Sequence, residues 1–176
     1  PIQHCYIDFG ICMEEGKLSK KDIKIVIAAH KPYRMPEDTM YVPLHVGAEG
    51  KKNPDGTPLD LGYQKDNEGD NISAKNPYYC ELTGIYYAWK NIPAEYLGLV
   101  HYRRYFKGKN KSKDPFACIV TEQEMEKIFE THRIVVPKKR KYYIETLYSH
   151  YAHTHYAEHL DCVREIIGEQ CPDYLN

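Results

Sequence analysis

The sequence predicts an α/β fold with three layers and a mainly parallel central sheet. Apolar runs of strand length recur, as in Ile23–Ala29 (IKIVIAA) and Tyr96–His101 (YLGLVH). They alternate with segments of helical spacing, the pattern of strands joined by crossover helices. At 176 residues the chain is also long enough for one domain with a sizeable core.

Taken in order, residues 1–22 are of mixed character, with Glu14-Glu15-Gly16-Lys17 as a loop, and read as a lead-in segment to a domain over residues 23–176. The β-branched run Ile23–Ala29 reads as the first strand, stopped by His30-Lys31-Pro32. Residues 41–46 predict a second, shorter strand. Residues 53–76 are rich in Gly, Pro, Asp and Asn, with a turn at Pro54-Asp55-Gly56, and predict a long loop. A helix follows, with Asn76 as cap, Pro77 in its first position, and Tyr78, Leu82, Ile85 and Trp89 as its apolar face. Asn91 and Pro93 end it, and Tyr96–His101 reads as a buried strand. Thr121 and Glu124 form a capping box ahead of Met125, Ile128 and Phe129. Residues 133–136 predict another buried strand, closed by Pro137. Residues 144–168 read as helical, broken near Thr154, with Leu160, Val163 and Ile167 on the later apolar face.

Composition narrows the function classes. A formal net charge of -1 provides no global attraction to nucleic acid or anionic membrane, so anion binding has to be local. The basic run Lys138-Lys139-Arg140-Lys141 reads as a solvated loop. Seventeen tyrosines against four phenylalanines suit wet, sugar-binding clefts, and equally suit half-buried strand and helix positions. The six cysteines show no CxxC pair and read as free cytosolic thiols. No signal peptide and no apolar run of membrane-span length is present, and the first residue is Pro1 rather than methionine, as expected of a processed or trimmed fragment.

The densest chemical signal is the end of the strand run, His101-Tyr102-Arg103-Arg104. Ligands of α/β sheets bind at the carboxyl ends of strands, and a guanidinium donates to two phosphate oxygens at once. If the strand runs on through Arg104, His101 and Arg103 share one face and Tyr102 and Arg104 the other. At the end of the first strand, small Ala29 admits a ligand to the backbone, and His30, Lys31 and Tyr33 offer hydrogen bonds or stacking. Asp70, Asn71 and Ser73 suit sugar hydroxyls, and Asp and Asn suit Asx turns as well. Glu81, in the first turn of its helix, is favoured by the helix dipole and is within reach of a substrate proton. His155, His159 and Cys162 fall at i, i+4, i+7, but three ligands on one helix do not complete a tetrahedral site, so no metal site is expected.

The segments IKIVIAAHKPYRMP, YVPLHVGA, LGYQKDNEGDNISAKNPYYCELTGIYYAWKN, YLGLVHYRRYF and TLYSHYAHTHYAEHLDCVREIIGEQCPDY together resemble the DUF4422 family of bacterial capsular and exopolysaccharide biosynthesis proteins, over roughly residues 23–176. The resemblance implies a GT-A-like glycosyltransferase that moves a sugar from a nucleotide-diphosphate donor, UDP-linked, to a growing saccharide or lipid-linked saccharide. Many GT-A enzymes hold a divalent metal with an Asp-x-Asp motif after a central strand. This chain has His101-Tyr102-Arg103-Arg104 at the comparable place, so no divalent metal or other cofactor is expected. Ala29, His30 and Lys31 would border the nucleotide. Asp70, Asn71 and Ser73 would contact donor sugar or ribose, and His101 and Arg103 the diphosphate, with Arg104 also among the substrate-binding residues. His101, Arg103 and Glu81 are the catalytic candidates, with the general base unassigned.

The resemblance further implies that the family domain continues past Asn176, and it leaves Gly50 to Pro58 as an insertion without a role. It places the protein in the cytoplasm, with peripheral association at the inner membrane face. The competing expectation is a non-catalytic nucleotide-sugar or carbohydrate-binding module, or an inactive fragment of a larger synthesis protein. Nucleic acid is not an expected partner, because the charge balance opposes it.

Overall fold

In a computed structural model, the structure describes residues 3–5, 7–8, 20–139 and 141–175. Strand β3 (Ile23–Ala29) is the spine of the sheet, and six of its seven side chains are apolar and buried. Alternation sends Ile23, Ile25, Ile27 and Ala29 to one face and Val26 and Ala28 to the other. Burying such a side chain contributes about 1.5–3 kcal/mol each, which is why a strand covered on both faces is continuously apolar.

Around β3 the described residues form a sheet of β1 (Gln3–Cys5), β7 (Arg104–Phe106), β6 (Tyr96–His101), β3, β4 (Tyr41–His45) and β5 (Gln64–Lys65), in that spatial order. Strands β3, β4, β5 and β6 run parallel, and β7 turns back antiparallel to β6. The β3 carboxyl end thus lies between those of β4 and β6. A separate two-stranded ladder pairs β2 (Ile7–Asp8) with β8 (Val136–Pro137).

One layer is α2 (Leu82–Asn91), whose Tyr87 and Ala88 pack on Val26, Ala28, Leu44 and Val46. The other layer is α3 (Glu122–Phe129) with the segment before it, where Met125, Ile119 and Val120 cover Ile23, Ile25 and Ile27. The Thr121–Glu124 capping box is present, and so is the three-layer arrangement.

Several local expectations are corrected. The helix over 77–91 is two helices, α1 (Asn76–Tyr79) and α2, separated by Cys80 and Glu81. Asn76 is not the cap but the first residue of α1, and its side chain reaches forward to the Cys80 carbonyl at 2.7 Å. Tyr78, Leu82, Ile85 and Trp89 are exposed, whereas Thr83, Gly84, Tyr87 and Ala88 face the sheet. Small residues let α2 approach β4 closely, so the bulky apolar face points outward. Of the expected 133–136 strand only Val136 pairs with a partner, together with Pro137 just past its end, and Ile134 and Val136 are exposed. The loop over 53–76 contains β5 and a short 3-10 turn, Ser73–Lys75. Within the apparent insertion, a Lys52–Pro58 bridge closes a small turn. The Glu14–Lys17 loop, Cys12 and Arg140 lie outside the described residues.

Residues 139–176 form a second compact unit. It holds α4 (Leu147–Thr154) and α5 (Glu158–Gln170), with the break near Thr154 as expected. Neither helix has a buried residue, so Val163 lies on an open face rather than on a covered one. Glu145 grips His150 Nδ1 at 2.6 Å and His153 Nδ1 at 3.1 Å. His155 closes the end of α4 while His159 and Cys162 sit on α5, so the three do not share one helix.

Candidate functional site

Strand β6 does not continue through Arg104. It ends at His101, and Tyr102-Arg103 form a two-residue turn into β7, with His101 opposite Arg104. The turn sits at the carboxyl end of the parallel strands, where the Tyr102 N–H donates to the Ala28 carbonyl at 3.2 Å. Tyr102 itself points inward and is 1% exposed. Its ring is the floor of the site: His30 meets it edge-on at 5.3 Å, Tyr33 at 5.2 Å, and His101 lies 4.3 Å away. The Lys31 ammonium stands 5.7 Å and the Arg103 guanidinium 5.1 Å from the same ring centroid, within reach of cation–π attraction.

His30, Lys31, Arg103 and Arg104 are exposed. Among the described residues none of the four pairs with a carboxylate. Lys31 and Arg103, charged groups on an aromatic floor without acidic partners among the described residues, are suited to meet an anion, and guanidinium groups favour phosphate oxygens. His101 is half-buried. Its Nδ1 accepts the Arg103 N–H at 3.4 Å, which leaves the neutral imidazole's proton on Nε2, 3.7 Å from Glu81 Oε1. Burial pushes the His101 pKa below its ordinary value. Arg103, Arg104 and His30 push the same way, and Glu81 opposes them.

The remaining predicted residues divide differently. Ala29 is fully buried on the core face, and its carbonyl accepts from Val46 N, so it offers the ligand no side chain. Asp70 accepts from the Tyr86 hydroxyl at 3.0 Å and lies 3.9 Å from Lys90. Asn71 bonds Gly69 O and the Ser73 N–H as a local turn. Ser73 is buried, and its hydroxyl donates to Asp66. These three are engaged by their own loop, by Glu49 and by α2, whereas His30, Lys31, His101 and Arg103 converge on Tyr102. Asn71 occupies the Asx-turn alternative that its residue type left open.

Sequence reasoning missed three residues. Tyr102 was legible only as part of the cluster. Asp66, fully buried, was hidden in a loop whose composition suggested exposure. Cys80 has φ 49° and ψ −130°, a conformation costly for any residue but glycine, and nothing in its neighbours announces it.

The described residues also line two cavities away from the strand ends. The larger, about 330 Å³, is bordered by Arg34, Asp38, Tyr41 and Asp114. Several of its polar groups are already matched: Arg34 bonds Asp114 at 2.7 and 3.1 Å, and the Tyr41 hydroxyl donates to Val120 O. The smaller, about 170 Å³, is lined mainly by apolar side chains. Among the described residues no group of three or more His, Cys, Asp or Glu is arranged to hold a metal ion.

A family model described as a domain of unknown function, DUF4422, matches residues 24–176. No curated protein matches the chain. Among solved structures, the chain is similar to the apo structure of the bifunctional glycosyltransferase WbbM, at 40% identity and a TM-score of 0.45. The similarity covers 53% of this chain and 16% of that one, so this chain spans less than a fifth of that protein's length.

Proposed function

The chain belongs to the DUF4422 family, and we propose that it transfers a sugar from a nucleotide-diphosphate donor, UDP-linked, to a growing saccharide or lipid-linked saccharide. The observation that carries this reading is the set of exposed cations Lys31, Arg103 and Arg104, with His30 beside them, at the carboxyl ends of β3 and β6, without carboxylate partners among the described residues. A GT-A-like domain uses this edge of its sheet for the donor.

In transfer, the bond between the anomeric carbon and the diphosphate oxygen breaks, and negative charge develops on the departing diphosphate. Fixed guanidinium groups aimed at that charge lower the barrier in the way a bound metal would. Arg103 and Arg104 take this role here, so turnover needs no divalent metal. His30 and Lys31 border the nucleotide, and the buried Tyr102 ring supports them from beneath. The acceptor hydroxyl forms the new bond to the anomeric carbon and gives up its proton, for which Glu81 and His101 are the candidate groups. Such an acceptor suits a protein working at the inner membrane face; no helix among the described residues is long and apolar enough to cross a membrane.

Calorimetric titration with UDP, UDP-galactose and UDP-glucose, with and without manganese, tests the proposal. Binding that is indifferent to manganese and weakened in Arg103→Ala is expected, with donor turnover that survives EDTA. Binding without any turnover would identify a nucleotide-sugar-binding module instead. Turnover that EDTA abolishes and manganese restores would overturn the metal-free step.

A further inference from the structure

Asp66 is 0% exposed and pairs with no cation among the described residues. Its carboxylate is instead filled by four donors. Oδ1 accepts from the Ala48 N–H at 3.0 Å and from the Ser73 hydroxyl, and Oδ2 from the Gly47 N–H and the Thr83 hydroxyl, both at 2.8 Å. These donors come from three separate segments: the exit of β4, the 3-10 turn Ser73–Lys75, and the first turn of α2. A buried carboxylate is tolerated only when its oxygens are satisfied in this way, and such a network fixes the segments that supply it.

Thr83 carries that constraint to the break between α1 and α2. Its hydroxyl lies 3.1 Å from the Cys80 carbonyl and accepts from Asn76 Nδ2 at 3.0 Å, while the same Asn76 nitrogen donates to the Cys80 carbonyl at 2.7 Å. Cys80, in its left-handed conformation, is therefore held from both sides. The next residue is Glu81, which faces His101 Nε2 at 3.7 Å. Gly47 shows how tightly the parts fit: a Cβ there would stand 2.4 Å from the Asn76 side chain.

We propose that Asp66 is the positioning residue of the strand-end site, holding the α1–α2 break through Thr83 so that the Glu81 carboxylate is presented to His101. Its catalytic consequence rests on reading that site as the donor site. Asp66 touches no substrate in this role; it acts through Glu81.

The test is the titration of His101 followed by NMR of its ring protons, assigned with His101→Gln. The charged and titratable groups acting on this imidazole are Glu81, Arg103, Arg104 and His30. Glu81 raises the midpoint, so Glu81→Gln is expected to lower it by roughly half a pH unit, the scale of a partly exposed ion pair. Thr83→Val removes the link to Asp66 while keeping the side-chain shape, and it is expected to lower the midpoint in the same direction. The double variant should fall no further than Glu81→Gln alone, and Thr83→Ser, which keeps the hydroxyl, should stay at the wild-type value. Asp66→Asn should behave as Thr83→Val, which serves alone if Asp66→Asn does not fold. A wild-type midpoint in Thr83→Val, additive shifts in the double variant, or no shift in Glu81→Gln would each overturn the role of Asp66. Failure of the wild-type chain to bind UDP would remove the donor-site reading instead, and the titration would still decide whether Asp66 places Glu81.

Discussion

Glu81 Oε1 stands 3.7 Å from His101 Nε2, yet burial outweighs this carboxylate in setting the imidazole's charge. The His101 pKa lies below its ordinary 6.5 in the folded chain. The unfolded chain then binds more protons in the window below 6.5, so stability falls as the pH drops through it and is restored above it. His45, lowered by its own burial, acts with the same sign. Unfolding midpoints measured from pH 7.5 to 5 should therefore decline, and His101→Gln should flatten part of that decline. An unchanged slope in the variant would contradict the neutral His101.

Arg103 is exposed at the tip of the β6–β7 turn, so its truncation should leave the fold intact. A hydrogen bond to a charged group is worth about 1.5–3 kcal/mol, so Arg103→Ala should weaken UDP binding by roughly tenfold to a hundredfold. The loss should shrink at high salt. Arg34→Ala provides the contrast, because that guanidinium is committed to Asp114 and to the Phe116 ring, and UDP affinity should not change. Calorimetry of the two variants separates a local anion site from a general charge effect.

Gly84 lies where α2 crosses β4, and a Cβ there would come 2.8 Å from Val46 Cγ1 and 3.4 Å from Leu44 Cδ2. Alanine is the better helix former by about 1 kcal/mol in an open helix, but overpacking a buried contact costs about 1–3 kcal/mol. Val46 is buried and β-branched, so it has little room to turn aside. Gly84→Ala should lower stability in urea unfolding, and adding Val46→Ala should recover part of the loss.

Cys80 holds φ 49° and ψ −130° outside any glycine. Such backbone costs about 1–3 kcal/mol, whereas the added freedom of glycine in the unfolded chain costs only about 0.5–1 kcal/mol. Cys80→Gly should therefore raise the thermal unfolding midpoint by a few degrees. A lowered midpoint would mean that the thiol makes contacts worth more than the strain.

The sequence by itself determined the alternation of strands and helices, the span of β3 and β6, the capping box at Thr121, and the place of the cationic cluster after β6. These are local signals: β-branched runs, capping chemistry and a charge cluster act within a few residues of themselves. Tertiary structure decided the rest. The outward face of α2 could not be read from its apolar spacing, because Gly84 and Ala88 let the helix sit close to β4 and turned Trp89 to the surface. That β6 stops at His101 followed from β7 folding back in register with it, a pairing that places Tyr102 beneath Lys31 and Arg103. Asp66 looked like one more polar loop residue until donors from three segments closed around it. A buried carboxylate is made by the neighbours that satisfy it, and those neighbours, up to 19 residues away in the chain, come together only in the folded protein.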